Sequence, residues 1–216
     1  LQKRLITTAI YLKPAIKEMS TQSEQLLEDN LIKQLTTDLG YTYIAISDEA
    51  ALLANLKTQL EKHNNVRLTD REFGQVLNHL NKGNIFERAK ILRDKMQLTR
   101  ENGQSVYIEF LNMDFWCQNQ YQVTHQIKNE GSYKNRYDVT LLINGLPLVQ
   151  IELKKRGLEL KEAFNQINRY QRHSFGASNG LFLYVQIFVI SNGVNTKYYA
   201  NNPKQSFKQT FYWSDT

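Results

Sequence analysis

The spacing of apolar residues is helical in the first half of the chain and alternating in the second. Four leucines recur at intervals of four residues: Leu27, Leu31, Leu35 and Leu39. This spacing predicts an amphipathic helix that ends at Gly40. The helix is predicted to begin within Thr21-Gln22-Ser23-Glu24, which resembles a capping box with Thr21 as the cap. A short strand is expected over residues 41–46.

Three more helices are predicted before residue 100, separated by polar breaks: residues 48–62, 70–81 and 85–97. From residue 106 onward the pattern is typical of strands. The predicted strands are residues 106–111, 120–127, 136–143, 148–154, 183–190 and 196–200. One helix, over residues 159–173, lies between the fourth and fifth of them. We therefore predict one α/β domain over residues 1–216, a mixed sheet carrying helices, with residues 48–97 as a helical insertion.

The strands on either side of Asn144-Gly145 are predicted to form a hairpin, because this dipeptide is a strong turn signal. The apolar residues of both strands have odd numbers: Val139, Leu141, Ile143, Val149, Ile151 and Leu153. A two-residue loop with regular pairing would set odd residues against even ones and split this apolar face. We therefore expect an odd-length loop or one bulge, with Gly145 at positive φ. Either one places Asp138 on the same face as Glu152.

Asp138 and the segment Glu152-Leu153-Lys154 would then bring two carboxylates and an amine together. Mg²⁺ is commonly bound by one or two carboxylates with waters and a substrate phosphate, and it can activate water against a phosphodiester. Lys154 could orient that water or stabilise charge on the phosphate. An ion pair on a strand surface is the alternative interpretation of the same residues. A second match, Glu159-Leu160-Lys161, has no aspartate on a paired strand and is interpreted as a solvated helix start.

Charge and composition are compatible with a nucleic-acid partner and exclude a helical membrane span. The 216 residues include 27 lysines and arginines against 21 acids, a net charge of +6. A basic cluster lies at and after the second carboxylate: Lys154, Lys155, Arg156, Arg169, Arg172 and His173. Such side chains neutralise phosphates and release counterions. No apolar run reaches the roughly 18 residues of a membrane helix, so a soluble protein is expected.

Other features limit the setting and the chemistry. The single cysteine, Cys117, cannot form an internal disulfide, so a reducing, cytoplasmic setting is expected. Cys117 itself is interpreted as a small buried hydrophobe. The chain has no Gly-x-x-x-x-Gly-Lys-Ser/Thr phosphate loop, so no ATP site is expected in it. The apolar residues 5–12 do not resemble a signal peptide, and the chain is expected to be a fragment of a longer protein.

Three segments around the hairpin resemble the N-terminal endonuclease domain of the restriction (R, motor) subunit of type I restriction-modification enzymes: residues 135–139, 144–149 and 151–157. Other segments are also similar to that family: residues 23–24, 39–41, 163–167, 188–193 and 199–201, with Tyr170. The resemblance covers nearly the whole chain.

This resemblance implies a nuclease of the PD-(D/E)xK superfamily with a restriction-endonuclease-like fold. Asp138 stands at the first metal-binding acid of the motif, Glu152 at the second and Lys154 at the lysine. Tyr137 replaces the nominal proline, a position that varies in the superfamily. Nucleases of this kind often add an acid from the first helix. Glu28 is the candidate.

Glu28 lies at the border of the apolar face of the first helix, and Glu24 lies one turn earlier. A solvated glutamate is the alternative for either one. Gln166 and Tyr170 match the Gln-x-x-x-Tyr motif of the RecB-like branch, whose residues contact DNA or support the metal site, and their spacing puts them on one helix face. A core tyrosine is the alternative for Tyr170. The candidate DNA contacts near the motif are Lys155, Arg156 and Arg169.

The function implied by the resemblance is a Mg²⁺-dependent endonuclease domain that cuts double-stranded DNA. The family assigns ATP-driven translocation to domains that would follow this segment, beginning near residues 211–213. It assigns recognition and methylation to separate specificity (S) and methyltransferase (M) subunits, which are the implied partners in a bacterial or archaeal cytoplasm. Two alternatives stay open: a standalone structure-directed nuclease of the junction-resolvase type, and a non-catalytic DNA-binding or docking module.

Overall fold

A mixed sheet of seven strands is the centre of the computed structural model, which describes residues 23–130, 134–173, 178–202 and 204–213. The helices are α1 (Glu24–Thr37), α2 (Glu49–Asn64), α3 (Asp70–Leu80), α4 (Ile85–Ile91) and α5 (Leu160–His173). The strands are β1 (Thr42–Tyr43), β2 (Lys95–Thr99), β3 (Ser105–Glu109), β4 (Tyr121–Glu130), β5 (Lys134–Ile143), β6 (Leu146–Leu153), β7 (Ile187–Ser191), β8 (Thr196–Ala200) and β9 (Phe211–Tyr212). The predicted α/β class, a mixed sheet flanked by helices, is confirmed.

The seven strands lie in the order β1-β4-β5-β6-β7-β8-β9. β1 pairs with β4, and β6 with β7, in parallel, while the other neighbours are antiparallel. Helix α5 is the crossover that connects β6 to its parallel neighbour β7. The insertion lies in the chain between β1 and β4 and contains α2, α3, α4 and a separate sheet of β2 and β3.

Both faces of the central sheet are covered by apolar residues. The cluster on the α1 face includes Leu27, Leu31, Leu35, Val123, Val139, Leu141, Ile151, Leu153 and Val189. The cluster on the opposite face joins α5 and the insertion to the sheet and includes Leu56, Phe110, Leu142, Leu146, Phe164, Ile167, Phe188 and Ile190. Polar residues on the central strands are therefore buried as well, among them Thr140, Gln150 and Glu152. A buried charge there needs a partner or an ion.

The turn between β5 and β6 contains two residues, Asn144 with φ of 50° and Gly145 with φ of 83°. The strand pairs are Ile143 with Leu146, Leu142 with Pro147, Leu141 with Val149 and Val139 with Ile151. Leu148 is therefore an extra residue on the second strand, and this bulge restores the pairing of odd with odd residues. Pro147, which has no N–H, lies beside the bulge. The predicted bulge and the positive φ of Gly145 are confirmed.

Gly145 brings the turn so close to the insertion that a side chain would collide with helix α2. A Cβ at position 145 would lie 2.8 Å from the Cα of Leu56. We expect Gly145→Ala to lower the free energy of unfolding by about 3 kcal/mol, because left-handed strain and overpacking each cost about 1–2 kcal/mol or more.

Gly103→Ala is the matched control for this substitution. Gly103 has φ of 81°, and among the described residues no atom beyond Gly103 and its two chain neighbours lies within 4 Å of its Cβ position. The free energy of unfolding of the control should fall only by the cost of backbone strain, about 1–2 kcal/mol. Urea denaturation of both variants measures the difference. Equal losses of unfolding free energy would show that the close contact with Leu56 does not contribute to the effect of Gly145→Ala.

The helix predicted over residues 85–97 is wrong in its second half. Helix α4 ends at Ile91, and Lys95–Thr99 forms strand β2 paired with β3. The side chains of β2 alternate between exposed and buried, which is the strand period of two. The insertion is thus helices with a hairpin rather than helices alone.

The strands predicted over residues 183–190 and 41–46 are shorter in the structure. The first begins at Ile187, because Ser178–Tyr184 forms a 3-10 helix. That segment bonds to the insertion instead of to a strand: the buried hydroxyl of Tyr184 donates to the carbonyl of Leu80 at 2.7 Å. The second is reduced to Thr42–Tyr43, and a short edge strand, β9, was not predicted.

Cys117 is exposed, so its interpretation as a buried hydrophobe is wrong. It lies in the 3-10 turn Trp116–Gln118, which is held by side-chain amides of Asn112 and Asn119 rather than by apolar burial. Helix α1 begins at Glu24 with Ser23 as its cap. Thr21 of the predicted capping box and the apolar residues 5–12 lie outside the described residues. Among those described, no helix is long and apolar enough to cross a membrane.

Candidate active site

Asp138 and Glu152 lie on neighbouring strands β5 and β6, one residue beyond the pair Val139–Ile151. Asp138 is 8% exposed and Glu152 is fully buried. The backbone N–H of Leu153 donates to Oδ2 of Asp138 at 2.8 Å, which fixes that carboxylate against β6. The hairpin register thus brings the two predicted acids together below the protein surface.

Lys154 directly follows β6 and is also buried, with 8% of its surface exposed. Its Nζ donates to Oε1 of Glu152 at 3.3 Å and to the carbonyl of Leu153 at 3.1 Å. It lies 3.8 Å from Oε1 of Glu24 on helix α1. An ion pair this deep is not a solvated pair on a strand surface, so that alternative does not hold.

The hydrogen bonding of the buried acid pair is incomplete within the described part of the chain. Oε2 of Glu152 is buried and has no hydrogen-bond partner among the described residues. Burial, followed by the neighbouring Asp138, raises the pKa of Glu152 well above its usual value, and Lys154 opposes this. Burial also raises the pKa of Asp138, against the opposing effects of the Leu153 N–H and Lys154. A bound cation would favour the ionised form of both groups.

Helix α1 brings two further acids to this end of the sheet. Glu28 is 3% exposed, so it is not a solvated glutamate. Burial raises its pKa, a hydrogen bond from Gln126 lowers it, and the charge of Asp138 raises it again. Glu24 is more exposed; its Oε1 accepts the N–H of Lys155 at 3.4 Å. Both candidates from the first helix thus lie near the hairpin acids.

Helix α5 contributes the Gln166–Tyr170 pair. Nε2 of Gln166 donates to the hydroxyl of Tyr170, which donates to the carbonyl of Arg136 at 3.1 Å. The Tyr170 ring packs edge-on against Tyr137, with centroids 5.0 Å apart. Burial and then the charge of Glu152 raise the pKa of Tyr170. Tyr170 is therefore a core residue that also faces the acids.

Two surface clefts flank the segment between β6 and α5. One, of about 490 Å³, is lined by Lys154, Glu162, Asn165, Gln166, Asn168 and Arg169. The other, of about 520 Å³, includes Arg156, Lys161, Lys197 and Tyr212 in its lining. The predicted basic contacts are thus divided: Arg169 shares a cleft with Lys154, Arg156 lines the second, and Lys155 is exposed. The side chains of Arg172 and His173 lie outside what the structure describes.

The donor set fits a hard divalent cation held by two carboxylates. Among the described residues, no group of three or more His, Cys, Asp or Glu side chains converges as metal ligands would. Two carboxylates with waters are nevertheless a common Mg²⁺ set, and the unpartnered Oε2 of buried Glu152 is available to an ion. The fit rests on Asp138 and Glu152, and Glu28 is a further acid whose pKa responds to the charge of Asp138.

Two residues near the acids were not predicted from the sequence. Gln126 on β4 donates to Oε2 of Glu28 at 2.9 Å. Tyr199 on β8 has a buried hydroxyl with no hydrogen-bond partner among the described residues, and burial followed by the charge of Glu152 raises its pKa. Neither belongs to a spacing motif that could have revealed it. The second Glu-x-Lys match is exposed at both Glu159 and Lys161, as expected for a solvated helix start.

Comparison with known proteins gives a consistent match over most of the chain. Residues 21–207 match the family described as type I restriction enzyme R protein N terminus. Over 203 residues the chain is 47% identical to the endonuclease subunit of the type I restriction enzyme SauMSSORF170P from Staphylococcus aureus (strain MSSA476), covering 91% of this chain and 21% of that subunit.

Similarity extends to other organisms. Over 204 residues the chain is 42% identical to the endonuclease subunit of the type I restriction enzyme EcoprrI from Escherichia coli, covering 90% of this chain and 65% of that subunit. Identity is 30% over 163 residues to the putative MjaVIIIP endonuclease subunit from Methanocaldococcus jannaschii. The chain spans about a fifth of the length of the Staphylococcus aureus relative.

Proposed function

Because the chain belongs to the family of type I restriction enzyme R protein N termini, we propose that it is a Mg²⁺-dependent endonuclease domain that hydrolyses phosphodiester bonds of double-stranded DNA. The observation that carries this proposal is the joint burial of Asp138, Glu152 and Lys154, with one carboxylate oxygen of Glu152 left unpartnered. Burying charged groups is unfavourable unless they are paired or bind an ion. Buried acids with perturbed pKa values therefore often mark a functional site.

In this proposal Asp138 and Glu152 hold the Mg²⁺ ion through their carboxylates. When bound, the ion supplies Lewis-acid polarisation of the phosphate and lowers the pKa of water. The Leu153 N–H holds Oδ2 of Asp138 in place, which keeps the carboxylate preorganised. Glu28, whose pKa responds to the charge of Asp138, is proposed as a further metal ligand.

Lys154 acts on the substrate side of the same site. Its ammonium group already donates to Oε1 of Glu152 and lines the cleft that continues toward Gln166 and Arg169. In the substrate complex it orients the attacking water or stabilises negative charge on the phosphate. The hydrogen bond between Gln166 and Tyr170 stiffens the helix face that borders this cleft.

In this proposal the DNA backbone follows the two clefts, the first of which is lined by Lys154. Arg169 in the first cleft and Arg156 in the second would contact phosphates on either side of the cleaved bond. Target recognition is proposed to belong to a separate specificity subunit and modification to a methyltransferase subunit, with ATP-driven translocation in domains outside this chain. The assembly would act in the cytoplasm.

The test is DNA cleavage by the full-length protein, with its partner subunits, carrying Asp138→Ala. We expect Mg²⁺-dependent cleavage of plasmid DNA to be lost, while Asp114→Ala, at an exposed loop aspartate, should cleave as the wild type does. Full activity of Asp138→Ala would contradict the catalytic assignment. Wild-type cleavage confined to branched DNA would favour a junction-resolving nuclease, and no cleavage of either substrate would favour a non-catalytic module.

Removing Arg169 should weaken duplex binding in a salt-dependent way. Arg169→Ala is expected to reduce the slope of log affinity against log salt by about 0.9, the contribution of one phosphate contact. Fluorescence anisotropy with full-length protein in Ca²⁺ measures this at several salt concentrations. Arg71→Ala, at an exposed arginine of the insertion, is the control. An unchanged slope for Arg169→Ala would remove this residue from the DNA path.

A further inference from the structure

Gln126 has a backbone conformation that is unusual for its residue type and position. Its φ is 56°, in the left-handed region that L-residues with a long side chain rarely adopt. Of the described residues other than glycine, Asn65 and Asn144 also have positive φ. Those two are asparagines at a helix end and in a turn, where this conformation is common. Gln126 instead lies inside strand β4.

The left-handed residue interrupts the sheet opposite a proposed catalytic acid. The described ladder pairs His125 with Val139 and Ile127 with Tyr137, but it contains no pair between Gln126 and Asp138. Val139 belongs to the cluster on the α1 face, whereas Tyr137, two residues away, belongs to the cluster on the α5 face. The alternation of side chains between the two faces of the sheet is therefore broken at Asp138. Tyr137 consequently packs against the ring of Tyr170 on the α5 face.

The side chain of Gln126 bridges the strand to helix α1. Its Nε2 donates to Oε2 of Glu28 at 2.9 Å and to Oε1 of Gln25 at 3.0 Å. The orientation of both amides follows from the partners, because Nε2 of Gln25 donates to Asp29 at 3.1 Å and leaves its oxygen to accept. The Gln126 amide group is thus used as a donor to two acceptors on α1.

We propose that Gln126 is a positioning residue of the cleavage site: its left-handed backbone aims the amide at Glu28 and holds that carboxylate beside Asp138. The inference rests on the proposed metal-dependent function. A strained conformation inside a strand costs free energy and persists where the surroundings impose it, often at functional sites. The partner of a metal-site carboxylate is the kind of residue whose loss weakens metal binding without unfolding the protein.

Gln126→Gly in the full-length protein distinguishes a role of the Gln126 amide in metal binding from a role in stabilising the fold. Glycine accepts the left-handed backbone but lacks the amide, so the relief of backbone strain should offset much of the stability lost with the two hydrogen bonds, and the melting temperature should change little. We expect Mn²⁺ affinity, measured from free Mn²⁺ by electron paramagnetic resonance, to fall about 10- to 100-fold. Gln126→Asn, which tolerates this backbone but is one methylene shorter, should show the same loss. Asn65→Gly is the matched control at a left-handed residue and should bind Mn²⁺ as the wild type does.

A double-mutant cycle with Glu28→Gln identifies the route of the effect. If Gln126 acts through Glu28, Gln126→Gly should cause no further loss of Mn²⁺ affinity in the Glu28→Gln background. Equal losses in both backgrounds would overturn the inference. Wild-type affinity of Gln126→Gly, alongside lost binding in Asp138→Ala, would overturn it and leave the proposed function intact. Unchanged binding in Asp138→Ala would instead remove the metal site itself.

Discussion

Lys154→Ala should lower the rate of DNA cleavage by about 100- to 1,000-fold, the usual loss when one preorganised donor to a developing charge is removed. Lys154 is buried between the carboxylates and the cleft, so no solvated side chain can replace it. Its charge also lowers the pKa of both Asp138 and Glu152. Its loss should therefore raise both pKa values further.

The pH dependence of cleavage by Lys154→Ala follows from the direction of these pKa changes. The acids must be ionised to hold a cation, so cleavage rises with pH as they lose protons. With Lys154 removed, this rise should move to higher pH. Single-turnover cleavage from pH 6 to 9 measures both effects, and Lys33→Ala, at an exposed lysine of α1, is the control. A rate close to that of the wild type would contradict the role of Lys154.

Glu152→Gln should stabilise the cation-free protein while abolishing its response to Mg²⁺. The pKa of Glu152 is raised in the folded state well above the ordinary 4.5. Between these two pKa values the folded protein holds a proton that the unfolded chain releases, so the free energy of unfolding falls as pH rises. The neutral amide introduced by Glu152→Gln has the same shape and does not titrate, so this decrease in stability with pH disappears. Its Oε1 can still accept the hydrogen bond from Lys154.

The expected result is a higher melting temperature for Glu152→Gln at pH 8, by about 2–4 °C for each kcal/mol, and a smaller difference at pH 4. Mg²⁺ should stabilise the wild type, by about 2.7 kcal/mol at 100 times Kd, but not the variant. Scanning calorimetry with and without Mg²⁺ measures this, with exposed Glu159→Gln as the control. A Mg²⁺-induced shift that survives in Glu152→Gln would exclude this carboxylate as a ligand.

The sequence was sufficient to predict the hairpin and its acids because they are related by local rules. The odd-numbered apolar residues required a bulge, and the structure has it at Leu148. Once the register was known, Asp138, Glu152 and Lys154 had to lie near one another. Tyr170 was predicted on the correct helix face, although only the structure shows that its hydroxyl donates to the backbone carbonyl of Arg136.

Features that depend on distant parts of the chain could not be predicted in this way. Residues 95–97 form a strand because β3 pairs with them, and residues 178–184 turn because the insertion binds Tyr184. The left-handed backbone of Gln126 could not be predicted from its residue type, because glutamine does not favour that conformation. Tyr199 approaches Glu152 only through the order of the strands in the sheet.

The packing of the insertion against the hairpin turn limits how this domain can be trimmed by protein engineering. The Asn144 side chain donates to the carbonyl of Phe110 and accepts the N–H of Gln120, and the Gly145 backbone rests on Leu56. A shortened domain made by deleting residues 48–110 would lose the support that anchors the turn, and with it the register that aligns the acids. The insertion is part of the scaffold, and shortened designs should retain it.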